Sequence, residues 1–229
     1  MLNIYIGYDA KEVAAYQICA YSIQRNSSEP VSISPINIRH LPWFTNTDYK
    51  ASTDFAFTRF LVPYLSNFKG WSLFMDSDVL VRSDIVKLFD FADNRYAVMC
   101  VKHDYQPKEG NKFLNQQQTQ YQKKNWSSVM LFNNAKCKTL SAEYVNRIQG
   151  LALHTFNWCE DDEIGELPKS WNHLVGEYET FTDADLVHFT LGGPYFNQTA
   201  NCEYSQQWLS YWKEANSVLD VILLGVENV

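Results

Sequence analysis

The chain has 229 residues, 46% of them apolar and 20% charged, enough to bury a substantial core unaided, which excludes a disordered tail, a disulfide miniprotein and a collagen-like rod. Its 19 basic against 26 acidic side chains give a formal net charge of −7, a poor balance for gripping a phosphate backbone, so nucleic acid is not expected as a partner. The charge is uneven, with 13 Asp/Glu against 2 Lys in residues 151–229, a surface that favours cations.

Leu2 to Ile6 is a short β-rich segment that ends in Gly7-Tyr8-Asp9, with none of the basic and small-residue pattern of a signal peptide. Lys11 to Arg25 carries one broad apolar helical face, so the opening reads strand, turn, helix. Val31 to Ile38 alternates as a second strand would, and Pro35 assigns it to an edge or a bend. Phe57 to Phe68 has helical spacing, although Pro63 must kink it or leave an earlier turn irregular, and Gly70 closes it.

Trp71 to Met75 is a buried-type strand that delivers Asp76-Ser77-Asp78 at its C-terminal end. Ser83-Asp84 caps a short helix over Ile85 to Phe89, and Tyr96 to Val101 is another buried strand. Residues 102–125 form a polar, Gln- and Lys-rich loop. Val129 to Phe132 resumes the core, and Ser141 to Gly150 is a helix with its glycine stop. Asp185 to Phe189 is a late strand leading to Gly192-Gly193-Pro194, and residues 204–218 form an aromatic helix. Strands alternating with helices predict an α/β fold with ligand chemistry at the strand ends.

The five cysteines are odd in number, far apart and without a Cys-x-x-Cys pair. That pattern predicts reduced thiols and a cytoplasmic location, and makes the Asn-x-Ser/Thr matches at Asn26, Asn125 and Asn197 chance occurrences. No apolar run is long enough to span a bilayer. Val218 to Leu224 is too short and lacks flanking basic residues, which leaves peripheral membrane association open.

The strongest chemical signal is Asp76-Ser77-Asp78, two carboxylates that can turn toward one cation, with hard oxygen ligands suited to Mg²⁺ or Mn²⁺. A solvated turn after a strand is the bland alternative. Two chemistries use such a pair: a phosphatase of the haloacid dehalogenase type, with Asp76 as nucleophile and Asp78 as general acid, and a nucleotide-sugar transferase whose metal bridges a diphosphate.

Several stretches in order resemble the GT-A glycosyltransferases of the glycogenin and lipopolysaccharide galactosyltransferase group, commonly called family 8. They are Ile4 to Asp9, Phe57-Thr58-Arg59-Phe60-Leu61, Leu73 to Val81 and Ser127 to Asn133. Downstream, Glu160-Asp161-Asp162-Glu163-Ile164-Gly165 falls where the family carries Asp-Gln-Asp-x-Leu-Asn, and Asp185 to Phe189 falls on its late strand. The resemblance covers roughly residues 2 to 196 and implies a GT-A fold, a Rossmann-like mixed central sheet flanked by helices, with residues 1–229 as a single domain.

It also implies an activity: transfer of a hexose from a nucleotide diphosphate sugar, a UDP-sugar above others, to a carbohydrate or glycolipid acceptor, with Mn²⁺ or Mg²⁺ and retention of configuration. Asp76, Asp78 and His188 would hold the metal, and Asp161 would lie beneath the anomeric carbon as the catalytic residue. Gly7, Tyr8, Asp9, Arg59, Ser77, Ser128, Glu160, Asp162, Gly192 and Gly193 would contact the donor. The family's His-x-x-Gly-x-x-Lys-Pro-Trp reads here as His188 to Tyr195, one residue shorter and without its lysine, whose place a lysine of 102–124 or Lys169 would take. That gap keeps a non-catalytic sugar-nucleotide binder as an alternative. Trp158, Trp171, Tyr195, Trp208 and Trp212 are divided between an acceptor platform and core packing.

Overall fold

The structure is a computed structural model that describes residues 1–46, 53–104 and 121–217. Most of the polar loop expected over 102–125, and all of the apolar run 218–224, lie outside the described residues.

Nine strands are described: β1 (Leu2–Gly7), β2 (Val31–Ile36), β3 (Trp71–Met75), β4 (Val79–Val81), β5 (Val98–Cys100), β6 (Val129–Asn133), β7 (Ile164–Glu166), β8 (His173–Leu174) and β9 (Leu186–His188). Six of them form one sheet in the order β2-β1-β3-β6-β5-β7, and β4-β9-β8 form a second. In the larger sheet β6 is antiparallel to both its neighbours while the other pairings are parallel. The fold is therefore the mixed α/β class expected.

Strands β3 and β6 are buried along almost their whole length and apolar but for Ser72 and Asn133, because both faces of the sheet are covered. Phe74, Met130 and Phe132 pack on one face against Phe60, Phe156 and Trp158. Leu73, Met75, Val129 and Leu131 pack on the other face with Cys19 and Ile23 of α1 (Val13–Asn26). Pro35 lies in β2, an edge strand, where its missing N–H costs no ladder bond.

Pro63 replaces the single helix expected over 57–68 with two pieces. Thr58–Leu61 winds as a 3₁₀ turn, and α2 (Val62–Leu65) follows with Pro63 in its first turn, where a missing N–H is tolerated. Asn67, Phe68 and Gly70 then take left-handed backbone (φ 51°, 54° and 63°) to reverse the chain into β3. A short helix α3 (Val86–Phe89) follows β4, and the Asp84 carboxylate accepts from the Val86 N–H.

The helix expected over 141–150 is also two pieces. Ser141 caps α4 (Ala142–Arg147) by accepting from the Tyr144 N–H. Gly150 is not a stop but the first residue of α5 (Gly150–His154). It is a glycine because a Cβ there would lie 2.1 Å from Cε1 of Phe57. The aromatic helix α6 (Ser205–Asn216) packs Trp208 and Tyr211 against Ile18 of α1, and Glu214 pairs with Arg25 at 2.7 Å. Trp158, Trp171 and Trp208 are core residues, which removes them as an acceptor platform, whereas Trp212 is exposed.

Gly150→Ala should overpack this contact and lower stability by about 1–3 kcal/mol. The expected result is a lower urea midpoint at unchanged slope.

Candidate metal and donor site

β3 ends at Met75, so Asp76 is the first residue beyond the sheet, its N–H donating to the Ser128 carbonyl at 2.9 Å. The chain turns through Ser77 and Asp78 and re-enters order as β4. There Val79 sits opposite His188 of β9, and the Phe189 N–H donates to the Asp78 carbonyl at 2.9 Å. Backbone pairing thus brings His188 to Asp78, with Nε2 3.3 Å from Oδ1. Asp76, Asp78 and His188 each offer one ligand atom, and these atoms lie within 4.8 Å of one another. Two carboxylate oxygens and one imidazole nitrogen suit a divalent ion of the Mn²⁺ or Mg²⁺ type.

The electrostatics of the site also fit a cation. Asp76 pairs with Arg59 at 2.8 Å, both side chains largely buried, and Arg59 also donates to the Ser127 carbonyl at 2.9 Å. The guanidinium lies over the Phe55 and Phe74 rings, which keeps water from it. Burial still raises the Asp76 carboxyl to about 6, with Asp78 adding to the rise and Arg59 opposing it. Glu12 is 6% exposed and is pushed up to about 8 by burial and by Asp78, Asp9 and Asp76, even though Tyr195 donates to it at 3.1 Å. One arginine does not offset this many carboxylates, and a bound divalent ion would.

Among the expected donor contacts, Gly7, Tyr8 and Asp9 leave the end of β1, next to β3. A Cβ on Gly7 would strike the Phe55 ring at 2.4 Å. The Asp9 carboxylate accepts from the Lys11 N–H at 2.8 Å and the Asp54 N–H at 3.1 Å, so it orders two loops. Ser77 is buried, with no hydrogen-bond partner for its hydroxyl among the described residues. Ser128 is buried and donates to the Asn125 carbonyl at 2.7 Å. Gly192 needs its left-handed backbone (φ 114°), and Gly193 lies against the Tyr195 ring, 2.2 Å from an added Cβ.

Asp161 is not brought to this group. Ile164 is in register, through Val98 and Phe132, with Ser72, four residues before Asp76. That separates the start of β7 from Asp76 by about 14 Å across the sheet and about 13 Å along it. The Asp161 carboxylate is exposed and pairs with Lys123 at 2.5 Å. Glu160 and Glu163 form a capping box around the 3₁₀ turn Asp161–Glu163, and Asp162 is exposed, the arrangement of solvated turn acids. Of the lysines considered for the missing phosphate contact, Lys169 is exposed, whereas Lys124 is buried over the Tyr121 ring at 4.8 Å.

Other residues at the site carry no motif. Asn172 bonds His188, His103 and Ser128. His154 meets the Ser127 hydroxyl at 2.8 Å through Nδ1, and burial, with Arg59 and Lys124 nearby, lowers it to about 3. Glu12 sits immediately before the first residue of α1, and an acid at a helix start is the one sequence signal among them, one that does not reveal its burial.

The class this fold defines is the GT-A glycosyltransferase fold. The chain superposes on the bifunctional glycosyltransferase WbbM with a TM-score of 0.65 at 13% identity, over 92% of this chain and 49% of that one. It superposes on the galactosyltransferase LgtC, solved in complex with donor and acceptor sugar analogs, with a TM-score of 0.61 at 11% identity, over 94% and 96% of the two chains. For the glycosyltransferase GlyE of Streptococcus pneumoniae TIGR4 the score is 0.59 at 14% identity, over 92% and 60%. This fold replaces the haloacid dehalogenase alternative for Asp76 and Asp78. No protein-family model matches the chain. Protein CDI of Arabidopsis thaliana is 45% identical over 226 residues, 93% of this chain and 87% of that protein, and the chain belongs to the Protein CDI family.

Glu12 supplies a pH test of the site. Its folded pKa of about 8 exceeds its ordinary 4.5, so between these values the folded protein binds more protons than the unfolded chain. Its contribution is fully present below pH 4.5 and is lost as pH rises through 8. The metal-free protein should lose on the order of a few kcal/mol over that window. Urea titrations at several pH values should show Glu12→Gln flattening the loss.

Proposed function

We propose that the protein is a metal-dependent glycosyltransferase, a single GT-A domain that moves a hexose from a nucleotide diphosphate sugar, a UDP-sugar above others, to a carbohydrate or glycolipid hydroxyl with retention of configuration. The observation that carries this reading is the convergence of Asp76, Asp78 and His188 at the strand ends of a GT-A fold. These three residues would hold Mn²⁺ or Mg²⁺, which when bound neutralises diphosphate charge and eases departure of the nucleotide. Arg59 fixes Asp76 and keeps it ionised, and burial strengthens each of these interactions. Residues 7–9, Ser77, Gly192 and Gly193 are the proposed donor contacts. A cytoplasmic location is part of the proposal, supported by the five cysteines being all free. Among the described residues no helix is long and apolar enough to cross a membrane.

One observation favours a sugar-nucleotide binder without turnover: the placement of the 160–163 acids away from the metal group. Two measurements separate the readings. UDP with Mn²⁺ should raise Tm by several degrees at about 100 times Kd, an effect worth about 2.7 kcal/mol, and His188→Ala should abolish the rise. A donor-hydrolysis screen across UDP-, GDP- and CDP-sugars with Mn²⁺ should then release one nucleotide. Binding without release from any donor would select the non-catalytic reading.

A further inference from the structure

We propose that Asn172 is the positioning residue that fixes His188 in its cation-binding tautomer, and that Ser128 sets the direction of Asn172. The inference rests on the reading of Asp76, Asp78 and His188 as a cation site.

Asn172 ends the 3₁₀ turn Lys169–Asn172 between β7 and β8 and is fully buried. Its amide meets three side chains: Oδ1 lies 3.2 Å from His188 Nδ1, while Nδ2 lies 2.9 Å from Ser128 Oγ and 3.0 Å from His103 Nε2. An amide of this shape fits its cavity in two orientations, and counting hydrogens selects one. Ser128 has a single hydroxyl hydrogen and donates it to the Asn125 carbonyl at 2.7 Å. Ser128 Oγ can therefore only accept from Asn172, and the group facing it must be the NH₂. The amide oxygen then faces His188, and an oxygen accepts only from an N–H, so Nδ1 of His188 carries the ring proton. A neutral imidazole has one such proton. Nε2, which faces Asp78 at 3.3 Å, is left with its lone pair, the form a metal requires.

The second amide hydrogen of Asn172 goes to Nε2 of His103, which must then hold its proton on Nδ1 and donate it to the Tyr178 hydroxyl at 2.8 Å. Burial holds His103 down to about 3, so its ring is neutral and has the lone pair this needs. In this orientation every donor in the set meets an acceptor. Reversing the amide would set its oxygen against the Ser128 lone pair, would force the His103 proton onto Nε2, and would move the His188 proton to Nε2, facing Asp78. Ser128, Asn172, His103 and His188 are all buried, so water does not relieve the mismatch, and the reversed state is costly.

The tautomer is read directly from two-bond ¹H–¹⁵N correlations of the full-length, metal-free protein with ¹⁵N-labelled histidine. His188 should show a protonated Nδ1 and a bare Nε2, and a protonated Nε2 overturns the proposal. Asn172→Leu, checked for native circular dichroism, should shift the tautomer and raise the Kd for Mn²⁺ by about 10–100-fold. Asn172→Asp keeps an acceptor for Nδ1 and should hold the affinity within several-fold of wild type, since His103 can turn its proton to the new oxygen. An unchanged tautomer and Kd in Asn172→Leu overturn the role. Failure of the wild type to bind Mn²⁺ or Mg²⁺ overturns the cation site and this role with it. That outcome is told apart from an error in the hydrogen count by the wild-type tautomer, which is measured without metal.

Discussion

Negative charge held in a dry place organises this site. Asp76 and Asp78 leave β3 where Glu12 and Asp9 already stand buried, and a carboxylate out of water must be paired, hydrogen-bonded or protonated. Each solution is used. Asp9 is satisfied by backbone N–H groups, Asp76 by a guanidinium, and Glu12 by a phenol and a raised pKa. The irregular 58–65 segment belongs to the same economy. A 3₁₀ turn in which all four residues are buried carries Arg59 to the carboxylates, and Pro63 bars the straight helix that would replace it.

The mixed sheet explains why so many polar groups meet at one end. Because β6 runs against β3, its first residue pairs with the last residue of β3, Val129 with Met75. The turn before β6 therefore brings Ser127 and Ser128 beside Asp76. In an all-parallel sheet that turn would stand at the far end. The reversal gives Arg59 its carbonyl, Asp76 its backbone acceptor and Asn172 its orienting hydroxyl.

The parts that were legible in the sequence share a physical cause. Trp71 to Met75 is apolar but for Ser72 and Val129 to Phe132 is apolar on every residue, and such runs in a polar chain have few other fates than buried strands. Asp76 and Asp78 follow directly from where the first of these runs stops, whereas His188, on the separate strand β9, is legible as their partner only through the family resemblance. Strands β4, β7 and β8 have three, three and two residues, too few for any periodicity to register. Asn172, His103 and Glu12 act through partners 16 to 183 residues away, and no local pattern announces such a partner. Asp161 presents the opposite case, since its neighbours match a motif while strand register sets it apart from the Asp76 group. Gly150 looked like a helix stop because chain position is visible in a sequence and the Phe57 ring is not.

The small sheet separates what this protein can vary from what it cannot. Val79 and His188 are opposed partners in a β ladder, and the next backbone bond joins Phe189 to Asp78. The gap between one carboxylate and the imidazole is thus ruled by peptide geometry rather than by loop shape. The loops on either side can change without altering that gap, provided Gly192, Gly193 and Tyr195 keep their places at the site. Change at the rim of the site is thereby uncoupled from the spacing of Asp78 and His188.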